Sequence, residues 1–410
     1  MHTTALPASA LRRDATVIGL VGMAHSISHF SQLLLAPLFP WLKEAFAVSY
    51  AELGLLMTIF FVVSCIVQAA SGFWVDRYGP RPVLFAGLTM IGLAAFGFAA
   101  STSYSMLALF SVLAGVGNGV FHPVNYTLLN RKIGKARLGH AYSVHGISGS
   151  LGWALAPALL VPLTLAYSWR VALLAAAAVV FVVLVVLWWQ REQLTVELAA
   201  PTAAQAPDAP VAEGTFDFLR IPAVWMCFAF FFFFAGALSV VQTFAPEAAR
   251  QLHAVPQHLA AMCLTTYMVC SAGGTLLGGF LASDPARSER IVAAAFGAAA
   301  MVSLVIGLGA VPAFAVPVLF GAMGLVSGMA GPSRDLLVKR SSPDNATGRV
   351  YGVVYAGLDI GQAVVPLVIG PLMDHGRYAS VWLALALLQG VLIVTAFNVR
   401  RVRRTALELA

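Results

Sequence analysis

Apolar stretches of about 20 residues succeed one another along nearly the whole chain, each long enough to cross a bilayer as an α-helix. Lipid offers backbone N–H and C=O groups no partner, so only helices and closed barrels span it. Barrel strands would show as short alternating segments, whereas these runs are continuous. Twelve spans can be drawn, at about 16–39, 51–75, 83–101, 105–129, 139–165, 169–190, 222–248, 257–282, 290–309, 313–338, 347–372 and 378–399. Only 10% of the 410 residues are charged, against about 25% in soluble chains. The expected fold class is an all-α integral membrane protein with twelve transmembrane helices.

The basic residues orient this layout. With the N-terminus inside, 19 of the 24 Lys and Arg residues fall on the cytoplasmic side. Lys43, Arg170, Arg250 and Arg377 fall on the other side, and Arg334 lies within a span. Such a bias is what positions membrane helices. It accounts for the net charge of +7 without a nucleic-acid partner, and places both termini in the cytoplasm. Arg12 and Arg13 precede the first run, which carries polar residues and no convincing cleavage site, so it reads as a span rather than a removable signal. Cys65, Cys227, Cys263 and Cys270 lie in apolar runs without metal spacing and read as packing residues.

An internal repeat adds a second constraint. Shifted by 209 residues, Gly115 falls on Gly324, Gly119 on Gly328, Pro123 on Pro332, Gly152 on Gly361, Pro157 on Pro366 and Pro162 on Pro371. Pro37 meets Pro246 at the same shift, and a shift of 207 pairs Gly72 with Gly279. Backbone-dictating residues dominate these pairs, which is what a shared helix geometry retains. Two pseudo-symmetric six-helix bundles are expected, 1–190 and 221–410, joined by a cytoplasmic linker at 191–220 that is rich in Ala, Pro, Gln and Asp.

Between the second and third spans stands Gly72-Phe-Trp-Val-Asp76-Arg77-Tyr-Gly79-Pro-Arg81. Gly72 would permit a close helix approach and Gly79 a tight turn. Asp76 can accept from the free N–H groups at a neighbouring helix's start. This pattern resembles the loop motif of the major facilitator superfamily of transporters, and the likeness extends over about the whole chain. It implies two bundles around a midplane cavity that opens alternately to each side. It also implies that the first, fourth, seventh and tenth helices line that cavity, with Gly72, Asp76, Arg77, Gly79 and Arg81 gating the change.

Polar side chains inside a membrane are costly unless paired, so each is a candidate. His25, His29 and Gln32 sit in the first span, His122, Asn125 and Tyr126 in the fourth, Gln242 in the seventh, Arg334 in the tenth and Tyr355 in the eleventh. These nine form the expected substrate cavity, although any one of them could simply tie two helices together. Asn118 and Glu247 belong to the same polar set, as do Tyr142, Ser143, His145 and Ser148 in the fifth span. His25 and His29 share a helix face, which raises metal transport; no acidic residue lies mid-span in the first half, and no metal site is expected. Arg334 either holds an anionic group or extends to the cytoplasmic face. Asp359, about mid-span in the eleventh helix, is the proton-coupling candidate, with a hydrogen bond between helices as the other reading. Gly146, Gly149 and Gly152 give the fifth span a small-residue face, for sliding or for static packing.

Gly115-Val-Gly-Asn-Gly119-Val-Phe-His122-Pro123, with the glycine-rich fifth span, is similar to the fosmidomycin-resistance branch of drug exporters. Ser111 stands where many facilitators carry arginine, and Ala156-Pro157 where exporters carry Gly-Pro. The expected function is secondary active transport of a small organic solute across the cytoplasmic (inner) membrane, coupled to protons, with export of a drug or metabolite as the first reading. Uptake of an organic acid by symport is the second, and a membrane sensor that keeps the fold without flux the third. No phosphate-binding loop, metal motif or nucleophile–base spacing occurs, so no cofactor, ATP drive or enzyme is expected. The expected partners are the solute, the proton and the lipid bilayer, for a chain acting as a monomer.

Overall fold

The computed structural model describes residues 8–134, 137–196, 222–281, 288–334 and 347–408, without the side chains at 8–10, 223, 288, 347–355 and 398–408. The linker beyond Val196 and Asp335 lie outside these residues. Among the described residues, twelve helical segments are long and apolar enough to cross a membrane, from Leu11–Phe46 to Tyr378–Phe397, and each overlaps its expected span.

The elements in order are α1 (Ala8–Gln32), α2 (Phe39–Phe46), α3 (Tyr50–Tyr78), α4 (Pro80–Ala100), α5 (Tyr104–Asn118), α6 (Phe121–Lys132), α7 (Leu138–Ala166) and α8 (Trp169–Trp189). They continue with α9 (Pro222–Thr243), α10 (Ala245–His253), α11 (Gln257–Leu281), α12 (Ser288–Leu308), α13 (Val316–Met329), α14 (Thr347–Asp374) and α15 (Tyr378–Glu408). Contacts group the chain into two compact units, Met1–Trp41 with Val63–Leu198, and Leu42–Val62 with Ala199–Ala410. In the first unit α1 packs along α7 and α6, and α4 along α8 and α5. In the second, α11 packs on α13, α9 on α14 and α12 on α15. Val224, Phe230, Phe231, Phe296 and Leu392 form a core there. Apolar side chains such as Ile66, Phe73, Val182, Phe280 and Leu387 point outward, as lipid-facing residues do.

Prolines shape the helices. Proline lacks an N–H, so the carbonyl four residues before it loses its helical partner. Neighbouring hydroxyls take up the vacancy. Gly119 O, before Pro123, accepts from Ser71 Oγ at 3.2 Å, and Gly328 O, before Pro332, from Thr275 Oγ1 at 3.4 Å. Gln362 O, before Pro366, accepts from Ser239 Oγ at 3.5 Å. Near Pro37 the chain leaves α1 through a 3₁₀ turn at Ala36–Leu38 and enters the short α2. Near Pro246, its partner in the repeat, α9 ends at Thr243 and the short α10 begins. The expected span 222–248 is therefore too long, and Glu247 belongs to α10 rather than to a membrane span.

The loop motif also differs from expectation. Helix α3 runs through Asp76 and Arg77 to Tyr78, and the turn is Gly79 alone, at φ 84°, before Pro80 opens α4. That φ suits glycine because other residues would clash there. A side chain at Gly72 would meet nothing within 4 Å, so Gly72 does not mark a close approach. Close approach occurs between α11 and α13. Added Cβ atoms at Gly274 and Gly278 would strike the carbonyls of Leu325 and Met329, and at Gly324 and Gly328 those of Tyr267 and Ser271. Each helix presents glycine to the other's main chain.

Candidate functional site

Polar residues of α1, α6 and α7 meet inside the first unit. His25 and His29, four residues apart on α1, have ring centroids 4.3 Å apart. His25 stacks on His145 of α7 at 3.5 Å with 16° between the rings. His122 of α6 completes the group, 5.5 Å from His25 and 6.4 Å from His145. Tyr126, one turn along α6, lies 5.4 Å from His145. Trp153 packs on His29 at 4.2 Å and donates from Nε1 to Gln32 Oε1 at 2.8 Å. All six first-unit residues expected at the site are thus brought together, with His145 and Trp153 added.

Gly149 makes the gathering possible. A Cβ there would lie 2.8 Å from His29 Cε1 and 2.9 Å from His25 Nε2. Only a bare backbone lets two imidazoles of α1 settle against α7. Gly152 has the same relation to the main chain of Ser26, whereas Gly146 faces open space. The small-residue face of α7 therefore includes a seat for the histidines. His145 and Trp153 each stand four residues from Gly149, a spacing that places them near its face of the helix. That spacing was the available signal in the sequence.

Asn125 sits at the centre, completely buried. Its Nδ2 lies 3.5 Å from His25 Nδ1 and 3.4 Å from His145 Nε2. An amide nitrogen can only donate, so both ring nitrogens accept, which is what neutral imidazoles do. Asn125 Oδ1, His29 Nδ1 and His122 Nδ1 are buried without a hydrogen-bond partner. Buried polar atoms seldom stay unpaired; the two imidazole nitrogens can take up a proton or pair with a ligand, and the amide oxygen can accept from a ligand donor. Were a ring nitrogen to gain a proton, a half-turn of the amide would bring Oδ1 round to accept from it. Among the described residues, no group of three or more His, Cys, Asp or Glu side chains is arranged to hold a metal ion.

Asn118 serves otherwise. Its Oδ1 accepts from Ser28 Oγ at 2.8 Å and its Nδ2 donates to Ser64 Oγ at 2.9 Å. This residue ties α1, α5 and α3.

In the second unit the contacts of Gln242 and Arg334 are with other residues than those expected at the site. Gln242 Oε1 accepts from Gln362 Nε2 at 3.1 Å, while Gln242 Nε2 is buried without a partner. Arg334 lies over the rings of Phe234 at 4.6 Å and Phe231 at 5.2 Å, about two turns earlier on α9. Asp359 is half-buried on α14, and the side chain of Tyr355 lies outside the described residues. Glu247 is held by Arg250 Nε at 2.7 Å and Nη2 at 2.8 Å, and accepts from Gln251 Nε2 at 2.7 Å. This bond keeps the Arg250 guanidinium protonated beyond its usual range. Glu247 is a structural ion pair.

The repeat relates the two units at one contact. The 209-residue shift carries His25 onto Phe234 and Asn125 onto Arg334. The amide-to-imidazole contact of the first unit thus reappears in the second as guanidinium over phenyl. The two positions stay in contact and the chemistry is exchanged.

A duplicated, all-helical, multi-pass membrane protein with a buried polar cluster in its first unit is the class these observations define. The chain belongs to the Major Facilitator Superfamily, whose family model matches residues 21–366 and 244–408. It is 27% identical over 158 residues to the fosmidomycin resistance protein of Escherichia coli (strain K12), covering 38% of each chain. It is 32% identical over 155 residues to a probable 4-methylmuconolactone transporter of Cupriavidus pinatubonensis, covering 36% of this chain and 35% of that one. The chain thus aligns with little more than a third of these relatives' own length. Among solved structures, it resembles a mutant of the nucleoside transporter NupG with a TM-score of 0.73 at 14% identity, over 92% of this chain and 99% of that one. A bacterial homologue of the human lysosomal transporter Spinster gives 0.70 at 14% identity, over 96% and 97%. These structural likenesses concern the fold.

Proposed function

We propose that the chain is a secondary transporter that moves a small organic solute across the cytoplasmic membrane and couples its movement to protons through the His25–His29–His122–His145 cluster. The carrying observation is the set of four imidazoles around Asn125, with three buried polar atoms left open. Imidazole is the side chain that gains and loses protons near neutrality, and a site that must work in alternation needs such a group. Asp359 remains a second coupling candidate because an intramembrane carboxyl can change its protonation with its surroundings. The division into bundles 1–190 and 221–410, with cytoplasmic termini and Asp76, Arg77 and Arg81 at a gate, rests on the charge asymmetry and the loop motif.

Export is the first reading, in keeping with a resistance protein among the relatives, and uptake of an organic acid the second, in keeping with a probable transporter of an organic anion, sulfoacetate, among them. Flux in proteoliposomes with an imposed pH gradient tests the proposal. Solute accumulation that collapses with the gradient supports it, and binding without flux would make the chain a sensor. His25→Gln and Asp359→Asn separate the coupling candidates. The coupling residue's variant should lose accumulation yet keep exchange of labelled for unlabelled solute.

A further inference from the structure

The first unit holds four histidines in contact but almost no acid. Its described residues include three acidic side chains, Asp14, Asp76 and Glu192. Asp14 is bonded to Arg137 Nε at 2.8 Å, and Asp76 and Glu192 are exposed at helix ends. Among the described residues of α1, α6 and α7, the titratable groups in ring contact with the histidines are the histidines themselves and Tyr126, on which Tyr142 packs in turn. The charged groups on elements packed against these are cations apart from those three acids. Arg170, for example, donates to Ala99 O.

A proton that enters such a cluster creates a positive charge without an internal counter-charge. In a desolvated setting, unpaired charge is expensive. The stacked pair adds to the cost, because two cationic rings 3.5 Å apart would repel. At the repeat-related position the second unit places a fixed cation, Arg334, in place of Asn125. The missing negative charge must come with the cargo.

Resting on the proton-coupled reading above, we infer that the solute is an organic anion, a carboxylate, sulfonate or phosphonate, which occupies the histidine cluster together with the proton. The open atoms suit this. An imidazolium N–H at His29 or His122 donates to an anionic oxygen, and Asn125 turns its Oδ1 to His25 or His145. Proton and anion then bind cooperatively and travel in the same direction, which selects the uptake reading over export. A cationic solute would instead compete with the proton, as exchange in opposite directions requires.

Thermal stabilisation of the purified full chain tests this. Sodium benzoate, sulfoacetate and methylphosphonate would be compared with benzylamine and benzyl alcohol, at about pH 5.5 and about pH 8. At least one anion should stabilise the protein, with affinity rising by up to about tenfold per pH unit on acidification. His145→Gln should flatten that pH dependence. Asn125→Asp builds the counter-charge into the site and should abolish anion binding, while Gly146→Ala, whose added methyl meets nothing within 4 Å, should leave it intact. The inference is overturned if no anion stabilises at either pH, if an anion binds equally at both, or if benzylamine or benzyl alcohol binds in place of the anions. Proton-driven flux of an uncharged solute would also overturn it, yet would leave the proton-coupled transporter standing.

Discussion

The imidazole of His25 lies flat on that of His145, 3.5 Å away, and both rings face the amide nitrogen of Asn125. This arrangement suits neutral rings and changes when either gains a proton. His145→Phe keeps a flat ring against His25 but removes the nitrogens. The variant should reach normal levels in the membrane, while proton-driven accumulation falls at least about tenfold, the loss of roughly 1.4 kcal/mol of coupling. Accumulation at the parent level in proteoliposomes would show that the stack is packing alone.

Gly149 and Gly146 form a matched pair of tests. Alanine at 149 would press on His25 and His29, whereas alanine at 146 meets nothing within 4 Å. Overpacking costs about 1–3 kcal/mol. Gly149→Ala should lower both the unfolding temperature and the transport rate, and Gly146→Ala should change neither. Thermal melts and flux on the two purified variants provide the comparison.

Asn118 differs in kind. Asn118→Ala strands Ser28 and Ser64, both buried, and should cost about 1–3 kcal/mol of stability. Flux per folded molecule should be unchanged. A loss of flux with an unchanged melting temperature would move Asn118 into the transport site.

Asp374 accepts from the main-chain N–H groups of Tyr50 at 2.7 Å and Ala51 at 2.9 Å, at the start of α3. Such N–H groups have no partner within their own helix. Asp374→Ala should remove about 1 kcal/mol of local stability. Amide exchange at Tyr50 and Ala51, read by mass spectrometry, should quicken about fivefold.

The sequence carried the helices and the repeat plainly, because lipid demands unbroken apolar runs and because glycine and proline act through the backbone. Pro123 and Pro332 sit just beyond a break in their spans, and Pro366 lies inside α14. The errors share a cause. Hydropathy does not register the break before Pro246, so it carries Glu247 into a span, and it ends the second span at residue 75 although α3 continues through Asp76 to Tyr78. His25, His29, His122, Asn125 and Tyr126 were legible as polar residues in an apolar setting. Their meeting with His145 and Trp153 was not, since it depends on how α1 docks on α7, and Gly149 decides that. In the second half Gln242 and Arg334 look alike in sequence, yet one bonds a glutamine and the other caps phenylalanine rings.

The repeat-related contacts of His25 with Asn125 and of Phe234 with Arg334 bear on how such a chain can change its cargo. The same backbone positions accommodate a titratable imidazole beside an amide in one copy and a permanently charged guanidinium over a phenyl ring in the other. The scaffold is therefore indifferent to which chemistry fills the slot. A codon change or two at these positions would redraw the ionic character of a copy while leaving helix packing alone. The two repeated halves can thus differ in kind, one holding charge that comes and goes, the other charge that stays. Grafting Arg334 onto position 125, or a histidine onto position 234, would retrace that divergence.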